Sequence, residues 1–316
     1  MNTRAGNEDD EDQTGGAATD GGVEPTGAAS ERAVNHAKRR YTDYLDHLVT
    51  RPGLGVVISL VLLFMWLPML VIVMYSFSGS GTIRFPPQSW TLDYYLALLA
   101  PGMADVTLNQ TFSWSVVTTS LQIGVVTATV VVVLGTMSGY AINNYDLPGK
   151  EFFQTVSLLP IVVPLIVSAI GLLIFFSVVG IELGLGATVI AHVIYTFPFG
   201  VIIITSSIAR VDTSLEEAAS DLGSSEFRVF RKVTLPLISP GIFSAWILAF
   251  TLSLNEFVLT FFVSGTFLET LPMWMWDQLR FGVSPLTYVV SSLTLFGAVL
   301  LILLVHRLIG IRRVRG

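Results

Sequence analysis

The sequence predicts an all-α polytopic membrane protein, and three observations support that prediction. Of the 316 residues, 52% are hydrophobic and only 13% are charged, and the mean hydropathy is +0.69. A soluble domain of this length needs more polar surface than that to cover its core. Uncharged runs of about 20 residues recur, each long enough to cross a ~30 Å hydrocarbon core as a helix. Because the chain has no cysteine, disulfides, thiolate metal sites and thiol catalysis are excluded.

The apolar runs predict six transmembrane helices, which make residues 54–309 the transmembrane domain. The predicted limits are 54–77, 114–140, 153–178, 184–208, 238–263 and 286–305. An even number of spans places both termini on the same side of the membrane. The segments on that side hold 15 of the 17 basic residues, and they are 1–53, 141–152, 209–237 and 306–316. The positive-inside rule therefore predicts a plasma-membrane protein with both termini in the cytoplasm.

The chain ends predict three further segments. Residues 1–30 are acidic and rich in Gly, Thr and Ala, which predicts a disordered cytoplasmic tail rather than a cleavable signal peptide. Residues 31–53 place apolar side chains at helical spacing with basic residues opposite, which predicts an amphipathic helix on the inner leaflet. A cytoplasmic helix packed on the rest of the protein fits that pattern equally well. Residues 310–316 form a basic cytoplasmic tail.

A long polar insert, residues 209–237, separates the fourth and fifth apolar runs. Its first part begins with helix-capping residues and reaches Gly223, which fits a helix stop. The serines that follow can cap a second short helix, which we expect to end before Pro236. The insert therefore predicts two short helices with a glycine corner. A solvated hairpin with no binding role is the alternative.

Prolines indicate irregular backbone inside the spans. Prolines stand inside three of them, at Pro68, Pro160, Pro164 and Pro198. Of these, Pro164 and Pro198 are candidates for shaping helices along a transport pathway, although kinked helices also occur where nothing is transported.

The fifth span contains an ionisable residue, Glu256, preceded by Asn255. A charge within an apolar span is costly unless it faces a polar cavity or a partner, so both residues are candidates for lining a transport pathway. Pairing of Glu256 with a polar side chain of another helix is the alternative. His192 in the fourth span is interpreted as a neutral, hydrogen-bonded histidine.

The chain has no G-x-x-x-x-G-K-[ST] phosphate loop, no H-E-x-x-H and no G-x-S-x-G motif. We therefore predict that the chain is not an enzyme, does not itself hydrolyse nucleotide and binds no cofactor of its own. Any ATP that drives it would be bound by a partner.

The insert resembles the cytoplasmic signature of permease subunits of type I ATP-binding-cassette (ABC) importers. That signature is E-A-A, three residues, G, nine residues, and an aliphatic residue followed by x-L-P. The matching positions are Glu217, Ala218, Ala219, Gly223, Val233, Leu235 and Pro236. The resemblance covers about residues 50–310 and implies the type I permease fold, with the two short helices acting as coupling helices that dock into a cytoplasmic ATPase dimer. It also implies a second homologous permease and an extracellular substrate-binding protein, with no nucleic acid.

Within that family the chain looks closest to the spermidine/putrescine permeases, through stretches such as LAFTLSLNEFVLTFFVSG and TLPMWMWDQLRFGVSP. The resemblance implies a polyamine as solute. Two positions depart from the polyamine permeases. In those permeases two acidic residues usually follow LSL in the fifth span, and Asn255 replaces the first of them here. An acidic residue also often follows the second proline of the third span, where this chain has Leu165. The alternative is therefore an ABC importer of the same architecture that transports iron, thiamine or an amino acid. A further alternative is an ion-coupled secondary transporter in which Glu256 carries the ion.

Overall fold

The structure, a computed structural model, describes residues 52–79, 85–99, 112–146 and 148–314. The predicted acidic tail, nearly all of the predicted interfacial helix and the last two residues lie outside the described residues. The described residues divide into two compact units on either side of a boundary between Met69 and Leu70, which falls inside the first helix. In the first unit the helix continues through Pro68, so this proline does not interrupt the span as predicted. Bilayer helices tolerate proline when the freed carbonyl finds another partner.

The described residues form helices joined by short connections. In chain order they are α1 Pro52–Ser76, α2 Asp93–Leu99, α3 Ser115–Asn144, α4 Lys150–Val162, α5 Leu165–Val179, α6 Leu185–Ile208, α7 Thr213–Asp221, α8 Glu226–Val229, a π-helical turn Phe230–Thr234, α9 Leu235–Leu254, α10 Val258–Val263, α11 Leu271–Phe281 and α12 Pro285–Val314. In this part of the chain, β structure is limited to an isolated bridge between Ser78 and Trp90.

Among the described residues, five helices are long and apolar enough to span a membrane, and a bent pair supplies a sixth candidate. The span predicted over 153–178 is a bent pair, because α4 and α5 meet at an angle of 109°, which agrees with the irregular backbone that its prolines predict. Pro164 causes the break: it disfavours helical geometry at the residue before it, and Val163 is extended at φ −74° and ψ 129°. Pro160 is accommodated inside α4.

Contacts between α3 and α6 show that the bent pair runs from one end of these two helices to the other. A Cβ placed on Gly135 would lie 3.1 Å from Ile204 Cδ1, and one on Gly139 would lie 3.3 Å from Ile208 Cδ1. Residue numbers rise together on both helices, so α3 and α6 run parallel. The chain between them must therefore return from one end of the pair to the other, and α4 with α5 makes that crossing.

The third member of the core, α9, runs antiparallel to both helices. Its first turns pack Ile238 and Ala245 against Ile204 and Ile208 of α6. Its last turns pack Ala249 and Phe250 against Ala128 and Val131 of α3. Small residues such as Ala128, Ala245 and Ala249 allow the backbones to approach closely. This three-helix core fixes the position of the polar insert at one end and of Glu256 near the other.

Candidate functional site

The polar insert folds as the sequence predicts in its first half. The side chain of Asp212 accepts a hydrogen bond from the backbone N–H of Ser214 at 3.0 Å and caps α7. Hydrogen bonds from Ser214 hold the pKa of the Asp212 carboxyl below its usual range. The corner is Gly223, whose φ of +81° is a conformation that a side chain disfavours. We call residues 212–234 the polar hairpin.

The second half of the polar hairpin differs from its prediction. The helix that starts at Glu226 does not end before Pro236 but continues through the π-helical turn into α9. The backbone N–H of Leu235 donates to the carbonyl of Phe230, five residues back. Pro236 lies in the first turn of α9, where a missing N–H is tolerated. The polar hairpin is therefore rigidly continuous with the fifth span.

The signature residues lie mostly on the exposed side of the polar hairpin. Glu217, Ala218, Gly223 and Pro236 are exposed, while Ala219, Val233 and Leu235 are half-buried. Two large apolar side chains stand out beside them, because Leu222 is 88% exposed and Phe227 is 72% exposed. Apolar side chains surrounded by charge, beyond the ends of the spans, are typical of a protein-docking surface.

Polar contacts tie the polar hairpin to the spans. The Glu216 carboxylate accepts a hydrogen bond from Asn144 Nδ2 at 3.1 Å and another from Thr234 Oγ1 at 2.5 Å. The Tyr145 hydroxyl donates to Glu226 Oε2 at 3.2 Å. The Glu226 carboxylate raises the pKa of the Tyr145 hydroxyl, which therefore stays protonated and able to donate.

Sequence reasoning missed these contact residues on the polar hairpin and α3. Glu216 directly precedes the signature but is not one of its residues. Asn144 and Tyr145 carry no motif, and their role depends on where α3 ends. An edge-to-face contact between Tyr140 and Phe230, with ring centroids 4.8 Å apart, adds an apolar link beside the hydrogen bonds.

The fifth span breaks where the sequence has Asn255 and Glu256. The prediction of one span over 238–263 is wrong in detail, because α9 ends at Leu254 and α10 begins at Val258. Asn255 is exposed, and its Nδ2 donates to Thr251 O at 2.8 Å. A side-chain amide that bonds to a backbone carbonyl of its own helix competes with regular helical hydrogen bonding, which fits the end of α9 at this point.

Glu256 is buried, with 6% of its surface exposed. Its Oε1 accepts a hydrogen bond from the backbone N–H of Leu259 at 2.7 Å. The carboxylate therefore caps α10, where the positive end of the helix dipole favours a negative charge.

His192 joins the two sides of this break. Its Nδ1 lies 2.7 Å from Ser253 Oγ and its Nε2 lies 2.9 Å from Thr260 Oγ1. Thr260 donates its own proton to the carbonyl of Glu256 at 3.0 Å. Thr260 therefore accepts from His192, which places a histidine proton on Nε2, and in a neutral ring Nδ1 then accepts from Ser253. The prediction of a neutral, hydrogen-bonded histidine agrees with this geometry.

The four residues predicted to shape or line a pathway do not come together in this conformation. Asn255 lines a cavity of about 490 Å³ between α3, α9 and α12, with Phe250, Thr251 and Thr294 among its neighbours. Glu256 does not line that cavity. Pro164 forms the exposed corner between α4 and α5, and Pro198 is buried within α6.

Residues 131–314 match the family model for the binding-protein-dependent transport system inner membrane component. The matched region contains α6, which runs parallel to α3, together with the polar hairpin and the broken fifth span. This chain belongs to that family. It is therefore a multi-pass membrane permease, and an ion-coupled secondary transporter is rejected.

Two curated relatives from Escherichia coli (strain K12) cover most of the permease. The spermidine/putrescine transport system permease protein PotC is 32% identical over 224 residues, which are 70% of this chain and 80% of the relative. The putrescine transport system permease protein PotI is 34% identical over 259 residues, 80% of this chain and 88% of the relative.

The fold is also that of a solved transporter. The crystal structure of a bacterial ABC transporter involved in the import of the acidic polysaccharide alginate matches with a TM-score of 0.63 at 14% sequence identity. The match covers 85% of this permease and 96% of that chain. At this identity the likeness supports the fold alone, and the fold is that of a type I ABC importer permease.

Proposed function

We propose that this permease imports a polyamine, of the spermidine/putrescine class, as one of two permeases in an ATP-driven complex of the plasma membrane. The observation that carries the substrate assignment is the similarity to two polyamine permeases over at least 70% of the chain. A polyamine is a flexible polycation, so its passage requires acceptors for N–H groups and a path without opposing positive charge.

In this proposal a cytoplasmic ATPase dimer docks on the polar hairpin. The exposed Leu222 and Phe227 supply apolar contact area and the signature residue Glu217 supplies charge. The positive-inside distribution supports this orientation, because the side that carries the polar hairpin holds 15 of the 17 basic residues. ATP binding closes the dimer and draws two polar hairpins together, one from each permease, and hydrolysis releases them.

An external binding protein delivers the solute to the opposite side, which is formed by residues 78–113 and 264–285. In that region Phe267 is fully exposed and Trp276 is 42% exposed, a surface suited to a protein partner. Glu269 lies there as well, and burial together with the nearby Asp277 raises the pKa of its carboxyl.

We further propose that Asn255 and Glu256 contact the solute within the membrane. The break beside them frees backbone carbonyls at the C-terminal end of α9, where the helix dipole favours a cation. Pro164 and Pro198 shape the helices that move around this point. The solute would pass between the two permeases.

A different solute is the second candidate, and one observation favours it. The only acid of the broken span, Glu256, is occupied by capping α10, and Leu165 supplies no charge at the bend. A path with so little negative charge suits a neutral or zwitterionic solute as well as a polycation.

Solute-stimulated ATP hydrolysis by the whole complex in liposomes tests these assignments. The complex contains this permease, the second permease and the ATPase, with the binding protein added to the outside. We expect spermidine or putrescine to stimulate hydrolysis, and a neutral sugar and an anionic amino acid to have no effect. Stimulation by a different solute would contradict the polyamine assignment and retain the importer. Failure to recover an ATPase with the permease would contradict the coupling role of the polar hairpin.

A further inference from the structure

Two adjacent residues at the end of α3 each bind a different helix of the polar hairpin. Asn144 donates to Glu216 on α7, and Tyr145 donates to Glu226 at the start of α8. Thr234, at the end of the π-helical turn, donates to the other oxygen of Glu216. We call Asn144, Tyr145, Glu216, Glu226 and Thr234 the coupling clamp.

In the coupling clamp, the residues that donate hydrogen bonds differ in charge from those that accept them. Both acceptors are carboxylates and all three donors are neutral side chains, so each hydrogen bond is charge-assisted. Thr234 is fully buried, and Glu216 is half-buried against it. A carboxylate held at two points is fixed in orientation, and α7 therefore cannot rotate without displacing α3 or the start of α9.

We propose that Glu216 is a positioning residue that transmits displacement of the polar hairpin to two spans at once, α3 through Asn144 and α9 through Thr234. This inference rests on the proposed coupling to an ATPase. The covalent connections join the polar hairpin to α6 and α9 only, so α3 would follow through packing alone. With the clamp, all three helices of the core receive the movement together.

Exchange of the donor and the acceptor tests the hydrogen bond between Asn144 and Glu216. In Asn144→Asp two carboxylates face each other, and the hydrogen bond becomes a repulsion. Adding Glu216→Gln restores the bond with its direction reversed, because the amide introduced at position 216 can donate to the new carboxylate. The double variant has the same net charge as the wild type. The matched control is Asn143→Asp, since Asn143 is exposed on the same helix end and bonds to Gly139 O of its own helix.

The measured quantity is the ratio of ATP hydrolysis with binding protein and spermidine to basal hydrolysis, normalised to the amount of assembled complex. We expect Asn144→Asp to reduce this ratio about tenfold, which is the effect of losing a hydrogen bond to a charged group. The double variant should recover to within about twofold of wild type, and Asn143→Asp should stay within that range. Equal ratios for Asn144→Asp and Asn143→Asp, or no recovery in the double variant, would overturn the inference.

The hydrogen bond from Thr234 to Glu216 gives a second test, in which the substitutions do not change the charge of the protein. Thr234→Val keeps the buried volume and removes the donor, whereas Thr234→Ser keeps the donor. We expect the valine variant to assemble normally and to lose stimulation, and the serine variant to retain it. If both variants behave like wild type, Glu216 has only a structural role. If the wild-type complex itself contains no ATPase, the proposed function fails, and the inference fails with it for that separate reason.

Discussion

The Glu256 carboxylate lies 2.7 Å from the backbone nitrogen of Leu259 and accepts its hydrogen bond, so the acid of the fifth span caps the short helix that follows the break. Capping gives Glu256 a structural role besides the contact with a cationic solute that we propose. The two roles require different properties of the side chain: capping needs an acceptor oxygen, and cation binding needs the charge.

Substitution of Glu256 separates these roles. Glu256→Gln keeps an acceptor for Leu259, so we expect normal assembly. Glu256→Ala removes the cap and should cost about 1 kcal/mol of stability. If the charge contacts a polyamine, spermidine uptake by Glu256→Gln in proteoliposomes should fall about tenfold. Unchanged uptake in that variant would leave Glu256 with capping alone.

His192 bridges Ser253 and Thr260, so its loss should loosen the break. We expect His192→Ala to destabilise the permease by roughly 2–5 kcal/mol, because it opens a cavity and leaves hydroxyls unpaired. Ser253→Ala, which removes one partner, should cost about 1 kcal/mol. Thermal unfolding of the detergent-solubilised protein measures both. Equal effects of the two substitutions would contradict a bridging role.

Gly223 tests docking of the polar hairpin. Gly223→Asp forces a side chain into a left-handed conformation at the exposed corner, and we expect the spans to fold while co-purification of the ATPase is lost. Gly149→Asp is the matched control. Its φ of +82° is nearly identical, its surroundings are equally open, and it lies outside the polar hairpin. Loss of the ATPase in both variants, or in neither, would contradict the docking assignment.

Close packing of α3 and α6 depends on Gly200. A Cβ placed there would lie 2.5 Å from Val131 Cγ1, so Gly200→Ala should destabilise the protein by roughly 1–3 kcal/mol. Val131→Ala in the same chain should restore part of that loss, because it removes the colliding methyl. Gly171→Ala, where no atom lies within 4 Å, is the control and should change the melting temperature little. Additive losses in the Gly200 and Val131 double variant would contradict the packing argument.

The sequence by itself determined the class of protein, the positions of the apolar spans and the polar hairpin. These features follow from local chemistry: the length of apolar runs, the placement of basic residues and the conformation that Gly223 permits. The family signature is also local, because its spacing lies within a single insert.

Only the tertiary structure decided how these parts are connected. The 109° bend at Pro164 still counts as a crossing because α3 and α6 run parallel, which no local pattern reveals. The bond between Asn144 and Glu216 joins residues 72 positions apart, and that between His192 and Thr260 joins residues 68 apart. Hydrogen bonds between distant side chains depend on where each helix ends and which face it buries. The packing of α3, α6 and α9 sets both, which is why the capping role of Glu256 and the coupling clamp emerge only in the folded chain.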